Sequence, residues 1–403
     1  MKQHVDKLHR ISGQKSRRII GLMSGTSLDG LDVALCQIEN SGIETDLHIE
    51  RFTTVPYAES FREEIRKVFA KKEIDFQQLC LLNPFIGIEH GKMILDCLAK
   101  WNVDPSEIDL IASHGQTVFH APKTQHRLAN FPNATLQIGD GDHIAVQTNI
   151  ITLSDFRQKH IAVGGEGAPL AVYGDYFLFS KKGENRILLN MGGIANFTLL
   201  PGSFDEDQSK ELPIFTTDTG PGNTLIDAYM RRFFRKPYDE NGGVASNGVP
   251  NETFLKVLKE KSFFNAPFPK TTGPEVFNYE YVESAIQKSG LSSLSRNDII
   301  ATLTKLSADT IVDAIKRVTN SNEMYKIFAS GGGAHNPVLM NVIKDQLPDY
   351  PMLLLDELGV SGDAKEAVLF AVLANETVAG TGGTFSSLEG VPATTMGKIS
   401  FPK

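Results

Sequence analysis

Asp218 is the carboxylate whose neighbours best suit it to move a proton. It ends the β-type run Ile214-Phe215-Thr216-Thr217, and the turn Thr219-Gly220-Pro221-Gly222-Asn223 follows at once and opens a helix. An acceptor fixed at a strand end can take a proton from an attacking hydroxyl or water. An aspartate in front of a helix is also an ordinary N-cap, and the residues alone leave both readings open. Asp29, in Gly25-Thr26-Ser27-Leu28-Asp29-Gly30, divides between a magnesium ligand through water and a hairpin-turn residue. In Ser113-His114-Gly115-Gln116-Thr117, His114 and Gln116 suit hydrogen bonding to a polyol, or His114 satisfies local backbone. Asp155 and Arg157 read as ligands for a substrate hydroxyl and carboxylate, or as an internal ion pair. Lys270 reads as a phosphate contact or an exposed lysine.

Missing motifs narrow the reaction. The chain has no G-x-x-x-x-G-K-[S/T] loop, no H-R-D, D-F-G and A-P-E set, no H-E-x-x-H and no G-x-S-x-G. P-loop and protein-kinase phosphotransfer, zinc peptidase and α/β-hydrolase chemistry fall away with them. The first glycine turn reads G-x-x-x-G-x-x-x-x-G in place of the G-x-G-x-x-G of a dinucleotide-binding unit. Phosphoryl transfer from a nucleotide held by glycine turns remains, with magnesium neutralising the phosphates.

Three such turns, each fed by an apolar strand, would do the holding: Gly21 to Gly30 after Arg18-Ile19-Ile20, Gly192-Gly193 after Ile187-Leu188-Leu189, and Gly331-Gly332-Gly333 after Ile327-Phe328-Ala329. Glycine lets backbone N–H groups approach phosphate oxygens without a Cβ in the way. The first two lead into new strand-like runs and read as hairpins. The third passes through His335-Asn336 into Pro337-Val338-Leu339, a helix start whose N-terminal donors are expected to face an anion or a ribose. Helices are expected from about Ser60 to Lys71, Phe76 to Lys100 with a kink or break at Pro84, Leu225 to Phe234, Asn251 to Glu260, Arg296 to Thr319 and Ala364 to Val378. Similarity between the first two hairpins hints at duplicated domains.

A chain of 403 residues fits two domains of ordinary size. Its formal charge of -8 argues against nucleic acid or an anionic membrane as partner, which leaves a small molecule. Cys36, Cys80 and Cys97 are too scattered for a disulfide framework or zinc site and suit a reduced cytoplasmic setting. No apolar run approaches the roughly 20 residues that span a bilayer. Residues 1–18 read as a basic tail, neither signal peptide nor anchor. Leu200 to Leu212, acidic and bearing Gly and Ser, reads as a surface loop.

Taken in order, the segments 21–30, 113–117, 155–157, 164–170, 190–196, 218–223 and 331–336, with Glu366 beyond them, resemble the signature of anhydro-N-acetylmuramic acid kinases. The resemblance implies an α/β fold of two duplicated actin/hexokinase-like (ribonuclease H-like) domains around a nucleotide cleft. The expected boundaries are 19–157 plus about 376–403 for the first domain and 158–375 for the nucleotide-binding second. It implies cleavage of a 1,6-anhydro amino sugar by water, with ATP phosphorylating O6, and ATP and Mg2+ as cofactors. Asp218 matches the family's general base. Gly25, Thr26 and Ser27 match the first phosphate hairpin, Gly192 and Gly193 the second, and Gly331, Gly332 and Gly333 the nucleoside side. Asp29, Gly220, Gly222, Asn223 and Asn336 are expected to complete the nucleotide contacts. Ser113, His114, Asp155, Arg157 and Glu366 are expected at the sugar. A cytoplasmic homodimer is implied as well. Many members carry Gln where this chain has Glu166 and Asp where it has His160. Turned into the cleft, Glu166 would add negative charge beside the substrate's carboxylate; turned outward, it would change nothing.

Overall fold

A computed structural model of the protein describes residues 1–168, 170–202, 214–291, 293–320, 322–380 and 394–403. The expected surface loop at 200–212 lies largely outside these, as does Pro169. The chain forms two compact units, Met1–Phe179 with Asp363–Lys403, and Ser180–Gly362.

Strands are numbered along the chain. The first unit holds β1 (Ser16–Ser24), β2 (Gly30–Glu39), β3 (Asp46–Pro56), β4 (Leu110–Ala121), β5 (Ala134–Ile138), β6 (Ile151–Ser154) and the C-terminal β12 (Lys398–Ser400). The main path across the sheet is β12-β6-β4-β1-β2-β3, with β5 paired to β4. β1, β2 and β3 form an antiparallel meander, while β4 runs parallel to β1 and β6 parallel to β4. One core joins Ile20, Leu22 and Leu35 to Leu82, Ile86, Ile94 and Leu98 of the helix Phe76–Trp101. Asp75 caps that helix through the N–H groups of Gln77 and Gln78, and it continues through Pro84 where a kink or break is expected from sequence. The adjacent Asn83 is pinned from outside by Gly139 N on its Oδ1 (2.9 Å) and Asp140 N on its carbonyl (3.2 Å), which supports the turn that proline weakens.

The helix Lys365–Ala379 packs against β1 so closely that a Cβ on Gly21 would lie 1.9 Å from the Ala367 carbonyl oxygen. Gly21 is therefore a packing glycine, and this helix belongs wholly to the first unit. The helix Ala171–Phe179 lies against it in turn, with Gly174 facing Leu369. Both contacts move the unit boundaries from the expected 157/158 and 375/376 to 179/180 and 362/363. The expected tail is also corrected: Lys2–Ser12 is a helix whose Ile11 is buried. Arg17 behind it is buried too and donates to Asn375 Oδ1 (2.6 Å) and Asn40 O (2.5 Å). Polar composition hid a segment anchored by one apolar residue and one guanidinium.

The second unit holds β7 (Asn185–Met191), β8 (Ile194–Leu200), β9 (Phe215–Pro221), β10 (Tyr325–Ser330) and β11 (Met352–Leu354), in the order β11-β10-β7-β8-β9. Here β7, β8 and β9 form the antiparallel meander, with β10 parallel to β7 and β11 parallel to β10. Strand for strand this repeats β6-β4-β1-β2-β3, and it supplies the evidence for duplication that the short hairpin similarity lacked. The helix Arg296–Val318, capped by Ser295, covers this sheet through Ala308, Ile311, Val312 and Ile315.

Candidate active site

In the second unit three glycine turns pack on one another. The β7–β8 hairpin turns at Gly192-Gly193, and the segment after β9 docks on it: Gly222 N donates to Gly193 O (2.8 Å), Asn223 N to Gly192 O (2.9 Å) and Thr224 N to Gly193 O (3.0 Å). Asn223 Nδ2 adds a bond to Met191 O (3.2 Å). The third turn closes on the same place. Gly331 has φ +79°, and a Cβ there would lie 2.7 Å from Asn190 Oδ1; one on Gly333 would lie 2.6 Å from Met191 Cβ. Gly192 and Gly332 differ, since a Cβ on either would meet nothing nearer than 3.7 or 3.8 Å. Protein packing demands glycine at 222, 331 and 333, while 192 and 332 leave room for a ligand.

Two expected nucleotide contacts are corrected. A Cβ on Gly220 would meet Phe264 at 2.9 Å and Thr310 at 3.3 Å, so this glycine serves the packing of β9. Asn336 is buried, and its Oδ1 accepts from Val338 N (3.1 Å) and Leu339 N (3.2 Å) as the N-cap of the helix Pro337–Gln346. The helix-start donors expected to face an anion are thus satisfied by the cap, and Pro337 carries no N–H.

Asp218 lies within β9, three residues before its end, so it is not a helix cap. Its N–H donates to Lys270 O (2.9 Å) and its Oδ2 accepts from Thr272 N (2.8 Å). Oδ1 has no hydrogen bond among the described residues. Burial raises the carboxyl above the usual aspartate range, opposed by the Thr272 N–H, which favours the ionised form. A half-buried carboxylate with one oxygen held and one free has the form of a general base. Beside it, Thr219 is the bulged residue where β8 and β9 slip register, its Oγ1 bonded to Ala195 O (3.1 Å). Lys270 is neither an exposed lysine nor free for phosphate: its Nζ donates to Phe263 O (2.8 Å) and Phe264 O (3.0 Å).

In the first unit the β1–β2 turn carries Gly25, Thr26, Ser27 and Asp29, with Thr26, Ser27 and Asp29 exposed. A buried polar chain fixes this turn from below. Tyr57 bridges Ser24 Oγ (2.8 Å) and His90 Nε2 (2.9 Å), Ser24 donates to Gln116 Oε1 (2.5 Å), and Gln116 Nε2 reaches Gly25 O (3.3 Å). Burial holds His90 down to about 4, so the chain is uncharged at neutral pH. Tyr57→Phe is expected to lower stability by about 1–3 kcal/mol, because His90 and Ser24 both lose a buried partner; the shift of a urea midpoint measures it.

Segment 113–117 is not a turn but the middle of β4, and Ser113 and His114 are buried. Gly115 permits this with φ +75°, where a Cβ would lie 2.6 Å from Ile138 O. His114 Nδ1 bonds Gly115 O (2.8 Å) and its Nε2 accepts from Arg157 Nε (2.9 Å). Burial first, then the Arg157 cation, push His114 down to about 3, so it is a neutral acceptor. Arg157 also donates to Gly167 O (2.6 Å). Asp155, at φ +56°, pairs with Lys398, so Asp155 and Arg157 are not each other's partner. Glu366 sits in the field of Arg157 and of Asp32, its carboxyl raised chiefly by burial. Asp32, with Asp29 and Asp363 near it, was missed from sequence, although a lone carboxylate in the apolar run Leu31 to Leu35 was the available signal. Glu166 is exposed, and His160 is buried with its Nδ1 accepting from Gly167 N (2.9 Å).

No helix among the described residues is long and apolar enough to cross a membrane. A family model described as anhydro-N-acetylmuramic acid kinase matches residues 17–402. A curated anhydro-N-acetylmuramic acid kinase from Pseudoalteromonas atlantica is 52% identical over 405 residues, covering 100% of both chains. One from Caldanaerobacter subterraneus subsp. tengcongensis is 37% identical, covering 98% of this chain and 100% of that one. Among solved structures, a ROK family glucokinase from Streptomyces griseus in complex with glucose and AMPPNP aligns over 88% of this chain and 98% of that one, at 12% identity and a TM-score of 0.36. So loose a likeness says nothing about the site. Matched by the family model over nearly all its length and by curated relatives end to end, the chain belongs to the anhydro-N-acetylmuramic acid kinase family.

Proposed function

We propose that Asp218 is the general base of a reaction in which water opens 1,6-anhydro-N-acetylmuramic acid and ATP phosphorylates O6, giving N-acetylmuramic acid 6-phosphate and ADP. The free Oδ1 of Asp218, opposite an Oδ2 held by Thr272, is the observation that carries this reading. Asp218 takes a proton from water as the water oxygen bonds to C1, and the C1–O6 bond breaks. O6 keeps that electron pair and captures the γ-phosphoryl group, ADP leaves, and no acid has to protonate O6. Gly192, Gly193, Gly332 and Asn223 are assigned to the nucleotide, supported by the room left at Gly192 and Gly332. Thr26 and Ser27 offer exposed hydroxyls for phosphate oxygens. His114 and Arg157, joined and buried, are assigned to the sugar with Ser113, Asp155 and Glu366.

Among the described residues no group of three His, Cys, Asp or Glu side chains could hold a metal by itself. That fits a magnesium ion carried largely by nucleotide phosphates and water, with the exposed Asp29 as a water-mediated ligand. When bound, it supplies charge neutralisation on the phosphates. The reading carries with it a cytoplasmic homodimer acting on a small amino sugar, with no nucleic-acid partner.

ADP release from magnesium-ATP, measured with 1,6-anhydro-N-acetylmuramic acid, with N-acetylmuramic acid and with no sugar, tests it. Turnover with the anhydro sugar alone is expected. Turnover with the open sugar would make the enzyme an ordinary amino-sugar kinase, and release without sugar would make it a nucleotide switch.

A further inference from the structure

Asp218 is held by a segment more than fifty residues away in sequence, and that segment is itself held by an unusual lysine. Lys270 bonds β9 through its backbone: its carbonyl accepts from Asp218 N (2.9 Å) and its N–H donates to Thr217 Oγ1 (3.0 Å). Two residues on, Thr272 N reaches Asp218 Oδ2 (2.8 Å). The Lys270 side chain turns away from Asp218 into a seat made by a neighbouring loop. Its Nζ donates to the carbonyls of Phe263 (2.8 Å) and Phe264 (3.0 Å), and it lies 4.4 Å from the Phe263 ring centroid and 5.0 Å from that of Phe268. Arg317, from the helix Arg296–Val318, fastens the same loop, donating to Phe264 O (2.9 Å) and Ala266 O (2.9 Å) with its guanidinium 4.2 Å from the Phe268 centroid.

We propose that Lys270 is a positioning residue for the base: its ammonium, seated on the Phe263 and Phe264 carbonyls, sets the register that delivers the Thr272 N–H to Asp218. The inference rests on the assignment of Asp218 under the proposed function. Lys270 carries no carboxylate partner; two carbonyls and two ring faces stand in for one, and these interactions are short-range and directional. A neutral, shorter or apolar side chain would leave both carbonyls unbonded and free the loop to move relative to β9. Burial and the nearby Arg317 cation hold the lysine down to about 8, as expected for a cation without a counter-ion. The only influences resolved on Asp218 itself are burial and the Thr272 N–H, so loss of that N–H moves its titration in one direction.

Asp218 titration can be followed without turnover, by 13C NMR of protein labelled at the aspartate carboxyl carbon, with Asp218→Asn assigning the resonance. In Lys270→Met the carboxyl is expected to titrate about one pH unit higher, because the donor favouring its ionised form is lost. Lys270→Arg, which keeps a cation and several donors, is expected to titrate like the wild type. Arg317→Met should move Asp218 the same way by a smaller amount, and it keeps the proposal testable if Lys270→Met does not fold. In the sugar-dependent assay, kcat of Lys270→Met should fall about tenfold with the acid limb displaced upward and KM for ATP unchanged. Unmoved Asp218 titration in folded Lys270→Met, or in Arg317→Met where only that variant folds, would overturn the proposal. So would Lys270→Arg behaving like Lys270→Met. If the titration moves as expected but Asp218→Asn still turns over, the assignment of the base falls and the positioning by Lys270 stands.

Discussion

Asp218→Asn is expected to lower sugar-dependent ADP release by at least about a hundredfold in kcat while leaving the protein as stable as the wild type. Asn keeps an oxygen for the Thr272 N–H, so the one hydrogen bond to the side chain survives. What it lacks is basicity. The stability side follows from the direction of the shift. Burial raises the folded carboxyl above its unfolded value, so its contribution to stability is present below the unfolded value near 3.9 and is lost as pH rises through the folded one. At neutral pH the ionised carboxylate is therefore a cost to the fold, and the amide relieves it. A melting temperature equal to or above the wild type, with turnover gone, separates a missing base from a damaged structure. A variant that keeps more than a tenth of the wild-type kcat would remove Asp218 from the reaction.

Gly222→Ala is expected to damage both the fold and nucleotide binding, for a steric reason. The new Cβ would stand 2.3 Å from Gly192 O and 3.2 Å from both Ala195 N and Gly193 O, all backbone atoms that cannot rotate away. The docked turn must open, weakening the three N–H bonds that Gly222, Asn223 and Thr224 give to Gly192 and Gly193. A loss on the order of 2–4 kcal/mol fits one overpacked site plus weakened buried hydrogen bonds. Calorimetric ATP affinity should fall at least about tenfold, since the second hairpin and Asn223 move together. Gly25→Ala is the comparison: its Cβ would meet only Ser27 Oγ at 3.5 Å and Ser27 N at 4.0 Å, so its melting temperature should stay close to wild type. Equal melting temperatures for the two alanine variants would refute the steric argument.

How much of this was legible in sequence depended on whether the cause was local. The glycine turns at 192–193 and 331–333 could be read because close backbone approach selects glycine whatever surrounds it. Asp218 could be read as a candidate base but was misplaced at a strand end, because β9 extends through Thr219-Gly220-Pro221 by pairing with β8. Segment 113–117 looked like a turn for the same reason: polar residues and a glycine normally break a strand, yet here β5 and β6 supply partners on both sides. Asn336 was read as a nucleotide contact although Asn before Pro337 is equally a cap, and residue type alone cannot separate the two. The hold of Lys270 and Thr272 on Asp218 left no local trace, since the partners meet only after the chain between them has folded.

The helix Lys365–Ala379 lies on Gly21 at the centre of the first unit's sheet, and β12 pairs with β6 at its edge. That unit is therefore begun by the earliest part of the chain to leave the ribosome and completed by the last. The second unit, Ser180–Gly362, is continuous and can close its own core while the first still waits for its covering helix. During synthesis, β1 must stay unpacked on that face until the final forty or so residues emerge, an interval in which the nascent chain depends on chaperones or on speed.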